Sequence, residues 1–154
     1  MSVNWIAAIG AGMVTGVAAT GAQIVLWWSF TDALPGILYR DARLTSAILM
    51  GPEVLPPPAT FDLMVMVVAT VIHLVISIGY SVILACLILR LDMMRSLLAG
   101  LIFGLTLYAV NMYGITLVFP WFLVARDWIT ILTHAVFGVS LAATYKGLSR
   151  SYSA

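Results

Sequence analysis

The chain has 154 residues, of which 63% are hydrophobic and 8% charged, and its mean hydropathy is +1.11. Soluble domains carry about 25% charged residues, so this composition excludes a soluble globular or a disordered protein. A net charge of +1 gives no electrostatic basis for binding nucleic acid, and a single cysteine, Cys86 in an apolar run, excludes a disulfide framework or a cysteine metal site within one chain.

Four uncharged or nearly uncharged runs follow in chain order, and each predicts a membrane-spanning helix, because lipid obliges the backbone to satisfy its own hydrogen bonds. The first, Met1–Thr31, lacks the basic n-region of a secretory signal and is read as a retained helix over 5–30. It carries Ala8, Gly12 and Gly16 at four-residue spacing, a pattern that lets helix backbones approach closely, within the bundle or between copies of the chain. Residues 32–62 form a long connection. Its first part predicts a short helix along the membrane surface. Its second, around Gly51-Pro52 and Pro56-Pro57-Pro58, predicts a stiff extended strap.

Leu63–Leu89 is the second span (62–89), with His73 near its middle. The tight turn Arg90–Arg95 makes the second and third helices antiparallel neighbours. The third run, Ser96–Ala125, predicts a helix over 96–119 ended by Pro120, which lacks an N–H. Trp121, Phe122 and Trp128 suit a headgroup belt. The last helix is placed at 128–146. The expected architecture is all-α: one four-helix membrane domain over 1–154, with a periplasmic loop that carries an interfacial helix. Arg90, Arg95, Lys146 and Arg150 on one side, against Arg40, Arg43 and Arg126 on the other, put both termini in the cytoplasm.

Helical spacing aligns Thr70, His73, Ser77 and Tyr80 on the second helix. It aligns Gly100, Gly104, Tyr108 and Asn111 on the third, and Asp127, Thr130, His134 and Gly138 on the fourth. At a rise of ~1.5 Å per residue, His73 lies roughly 16 Å and His134 roughly 10 Å from the periplasmic edge, with Gln23 and Asn111 at similar depth. Polar groups in hydrocarbon are costly, so one shared interior layer is expected, holding a cofactor, quinone, ion or water. His73 and His134 are the two histidines of the chain and the two metal-ligand candidates, as axial ligands of a b-type haem. In that reading Gly79 and Gly138 make room for the porphyrin and Arg126 meets a propionate. A quinone contacted by His73, His134, Asn111 and Gln23 is the alternative occupant. Zinc lacks ligands, no catalytic triad is visible, and all six acids are placed at or near the interfaces.

The segments HLVISIGYSVI, SLLAGLIFGLTLY, FPWF and WITILTHAVFG, in that order, resemble the small bacterial inner-membrane proteins of the YagU-like group. The resemblance covers roughly Val71–Tyr145. It implies a histidine in the second and fourth helices, here His73 and His134, and a Pro-Trp pair, here Pro120 and Trp121. It implies a multi-pass cytoplasmic-membrane protein with a link to stress, and brings no biochemical activity. The expected role is a non-enzymatic accessory or assembly subunit of a larger membrane complex. A haem- or quinone-contacting electron-transfer protein and a small homo-oligomeric channel or transporter are the other readings.

Overall fold

The computed structural model describes residues 3–151, and every regular element among them is helical. The long helices are α1 (Trp5–Phe30), α3 (Leu63–Ile88), α4 (Met93–Ala109) and α5 (Trp128–Ser151), and α2 (Gly36–Met50) lies in the first connection. Four stretches, Trp5–Phe30, Leu63–Ile88, Met93–Leu117 and Trp128–Ser151, are long and apolar enough to cross a membrane.

The ends of these helices are chemically specified. Asn4, Asp62, Asp92 and Asp127 each accept a backbone N–H from the first turn of the helix that follows, at 2.8–3.1 Å. At the other end of α3, the Lys146 ammonium donates to the Leu89 and Leu91 carbonyls at 3.4 and 2.7 Å, a placement that suits a cation at a helix C-terminus. Gly51 follows α2 at a φ of 92°, a conformation open to glycine, and its N–H closes the helix on the Ala47 carbonyl.

Close packing joins α4 to α5, α5 to α1 and α1 to α3. Two of these seams, α4–α5 and α1–α3, are made by missing side chains. An added Cβ on Gly100 or Gly104 would strike the α5 backbone at Gly138 or His134, and one on Gly138 would strike α4 at Gly100 and Gly104. Gly12 stands against the Ile78 backbone, where a Cβ would come within 2.6 Å of its Cα. Ser81 donates to the Ala8 carbonyl at 2.6 Å across the same seam. The small-residue face of α1 is therefore used inside the bundle.

Two expectations are corrected. The second and third long helices, α3 and α4, are joined by a short turn yet touch sparsely, because the glycines of α4 face α5 instead. The third span also does not run as regular helix to Pro120. It passes at Ala109 into a π-helical turn, Val110–Gly114, then a 3-10 turn, Ile115–Leu117, and Pro120 starts a separate 3-10 helix, Pro120–Ala125. The reason is local: the Met112 carbonyl accepts from Arg126 Nε at 2.6 Å and from the Thr116 hydroxyl at 2.9 Å, partners from outside the regular ladder.

The core is asymmetric along the bundle axis. At the end near both termini, Ala7, Ala8, Ala11, Leu84, Ala85, Ile88, Leu141, Ala142 and Tyr145 fill the space between α1, α3 and α5. Toward the other end α2 packs on α3 and touches the Pro120–Ala125 turn.

Candidate functional site

Residues from α1, α2, α3, α5 and the irregular end of α4 enclose a cavity of about 390 Å³, in the size range of small-molecule sites. Four of the expected residues line it: Gln23 from α1, His73 from α3, Asn111 from the π turn and His134 from α5. Thr20, Asp41, Thr45, Tyr80, Thr130 and Thr133 add polar atoms, while Ile48, Ile76, Leu107, Ile115, Phe119, Phe122 and Phe137 supply apolar wall.

His73 is held by backbone. Its Nε2 lies 3.1 Å from the Gly16 carbonyl and 3.3 Å from Thr20 Oγ1. A carbonyl can only accept, so this nitrogen carries the proton and Nδ1 is left as an acceptor. Gly16 makes the approach feasible, since a Cβ there would sit 2.9 Å from Ser77 Oγ and 3.5 Å from His73 Nε2.

His134 has the opposite tautomer. Its Nδ1 donates to the Thr130 carbonyl at 2.8 Å, so Nε2 is an acceptor. Asn111 Nδ2 donates to that Nε2 at 3.3 Å, and Asn111 Oδ1 accepts from the Tyr80 hydroxyl at 2.8 Å. Tyr108 packs its ring edgewise on the imidazole, with 5.7 Å between centroids. A directed chain thus runs from Tyr80 through Asn111 and His134 to the α5 backbone, linking the otherwise loosely apposed α3 and α4.

The haem arrangement does not fit these residues. The Nε2 lone pair of His134 is taken by Asn111, and His73, with Nε2–H held by the Gly16 carbonyl, has only Nδ1 to offer. Gly79 is exposed with open space around it, and Gly138 makes room for α4 rather than for a macrocycle. Arg126 is not part of the cavity wall. Its Nε and Nη2 bind the Met112 carbonyl and Thr116 Oγ1, and its guanidinium lies 4.3 Å from the centroid of the Tyr113 ring. It holds the irregular segment that presents Asn111. Among the described residues no three of His, Cys, Asp and Glu gather as metal ligands.

The expectation that every acid sits away from this layer also needs correction, because Asp41 lines the cavity. It arrives on α2, which lies against the bundle rather than only along a surface, burying Ala42, Leu44, Ser46 and Ala47. Asp41, Thr45 and Ile48, at helical spacing, face the cavity. Arg40 pairs with Asp41 Oδ1, both its Nε and its Nη2 lying at 2.7 Å. Trp121 Nε1 donates to the Leu44 carbonyl at 3.0 Å and ties α2 to the segment before α5. That periodicity was the signal available in the sequence for Asp41 and Thr45.

Ile76 and Ile115 line the cavity and are still 41% and 37% exposed. These two side chains therefore belong both to the cavity wall and to the outer surface, while residues of the apolar core and of α2 line the cavity elsewhere. No family model, no curated protein and no solved structure matches this chain.

Proposed function

We propose that this chain is a multi-pass protein of the bacterial cytoplasmic membrane, akin to the YagU-like group and with both termini in the cytoplasm. In this reading it holds one small, mainly apolar molecule of the quinone class and serves as a non-enzymatic accessory subunit of a larger membrane complex. The observation that carries the reading is the make-up of the cavity wall: apolar core at the packed end, α2 on another side, and the part-exposed Ile76 and Ile115, which mark a seam to the outer surface. A ligand dissolved in the hydrocarbon layer would enter by that seam without crossing a polar surface. The mixed wall suits an apolar body with one polar head. A through-pore is opposed by the filled space around Leu84, Ile88 and Leu141, each at most 1% exposed.

The test is extraction. Protein purified in native lipid should release a quinone-class molecule into organic solvent, in a stoichiometric amount. Ala19→Phe, which adds a ring at the cavity wall, should abolish its retention. Wild-type protein that releases none, or an Ala19→Phe variant that retains as much, would count against the reading.

A further inference from the structure

We infer that the molecule held in the cavity is a hydrogen-bond donor, the reduced dihydroxy form of a quinone rather than the oxidised form. This rests on the reading of the cavity as a ligand site.

Thr20 donates to the Gly16 carbonyl at 3.1 Å, Thr45 to the Asp41 carbonyl at 3.0 Å and Thr133 to the Ile129 carbonyl at 2.8 Å. Tyr80 donates to Asn111, and His73 Nε2–H and His134 Nδ1–H are committed to backbone carbonyls. Each of these groups turns a lone pair, not a proton, toward further partners. His73 Nδ1 is an acceptor with no protein donor, and so is Asp41 Oδ2, since Arg40 binds Oδ1. Fixed donors are fewer: the Gln23 amide and the second N–H of Asn111. The Ser77 and Thr130 hydroxyls can serve either way.

An oxidised quinone offers two acceptors and no proton. It would leave His73 Nδ1 without a donor, and a polar atom without a partner in an apolar setting is costly. A quinol hydroxyl gives its proton to such an acceptor while its oxygen takes a proton from Gln23 or Asn111. Charge decides between hydroxyl and ammonium. The one carboxylate on the wall, Asp41, already has the Arg40 guanidinium, so the wall has no uncompensated negative charge for a cation.

Three probes separate the alternatives: a short-chain ubiquinol, the matching ubiquinone, and the quinol's di-O-methyl ether, which keeps the shape and removes both protons. Each is titrated anaerobically into ligand-stripped protein in nanodiscs and followed by tryptophan fluorescence. The quinol should bind at least about tenfold more tightly than the other two. His73→Phe should reduce the quinol to the affinity of the quinone. Thr45→Val, which removes an acceptor from the roof, tests the same point if His73→Phe does not fold, and should narrow the preference. Equal or tighter binding of the quinone or the ether overturns the donor inference and leaves the cavity reading standing. Binding of none of the three overturns both.

Discussion

Asn111 Nδ2 donates to His134 Nε2 at 3.3 Å, and each residue comes to this bond already oriented by another partner. The amide is oriented by Tyr80, whose proton goes to Oδ1. The imidazole is oriented by the Thr130 carbonyl, which takes Nδ1–H. Nitrogen-15 NMR of the imidazoles should therefore show the Nδ1–H tautomer at His134 and the Nε2–H tautomer at His73. Asn111→Leu removes both partners at once, leaving a phenol and an imidazole nitrogen without protein partners in an apolar setting. We expect a loss of about 1–3 kcal/mol, read from unfolding in a fixed detergent. A loss below about 0.5 kcal/mol would mean that water replaces the amide and that the chain does not hold α3 to α4.

The glycines of α4 and α5 give a sharper contrast. Gly104→Ala and Gly138→Ala each drive a methyl into the facing backbone, which cannot swing aside as a side chain can. Each should cost about 1–3 kcal/mol, and more if the helices must part along their length. Gly79→Ala and Gly147→Ala meet nothing within 4 Å and should be neutral or slightly stabilising, since alanine favours helix. Equal effects at all four positions would contradict the α4–α5 contact.

Much of this was legible in the sequence. The spans were marked by charge depletion; their caps, Asn4, Asp62, Asp92 and Asp127, became visible only in the fold. The four interior polar residues were marked by their cost in hydrocarbon and by helical spacing. What was not legible follows from partners that arrive from elsewhere in the chain. Arg126 was read as a ligand for an anion, yet it satisfies the carbonyl that the π turn exposes. A π turn has no sequence period of its own, so helix three appeared regular as far as Pro120. Gly138 was read as room for a cofactor, but a glycine records close approach without saying what approaches. Asp41 was judged by its place in a loop, and the packing of α2 carried it into the wall.

The roof should be separable from the bundle. Trp121 Nε1 holds the Leu44 carbonyl, and Arg43 reaches from α2 to the strap, with Nη1 on the Val54 carbonyl and Nε and Nη2 on the Thr60 carbonyl at 3.1–3.2 Å. Arg43→Ala frees both carbonyls and should raise the rate of proteolytic cleavage within residues 52–60 by severalfold, while the long helices stay intact. Trp121→Phe keeps the ring and loses the bond, and should have a smaller effect in the same assay. Unchanged cleavage in Arg43→Ala would show that the proline-rich sequence alone keeps the strap in place.

Asp41 carries the pH dependence that can be assigned. Burial raises its carboxyl above the ordinary value of 3.8, Arg40 pulls it down in part, and Asp127 adds a smaller upward push. The sign follows from proton uptake. An acid with a raised pKa binds more proton in the folded state than in the unfolded one, so folding is favoured at the acid end of the window. As pH climbs past 3.8, the unfolded chain gives up this proton first and the contribution falls. The fall is complete once pH has passed the folded-state value. Stability measured by thermal unfolding in one detergent should therefore carry a negative slope with pH across that window. Asp41→Asn should remove that part of the slope, because an amide does not titrate and can still accept from Arg40. Its stability should match or exceed the wild type toward neutral pH, where the native carboxylate must be held charged. A slope identical in wild type and Asp41→Asn would mean that cavity water solvates the carboxylate as well as bulk water does, and that α2 roofs the cavity without drying it.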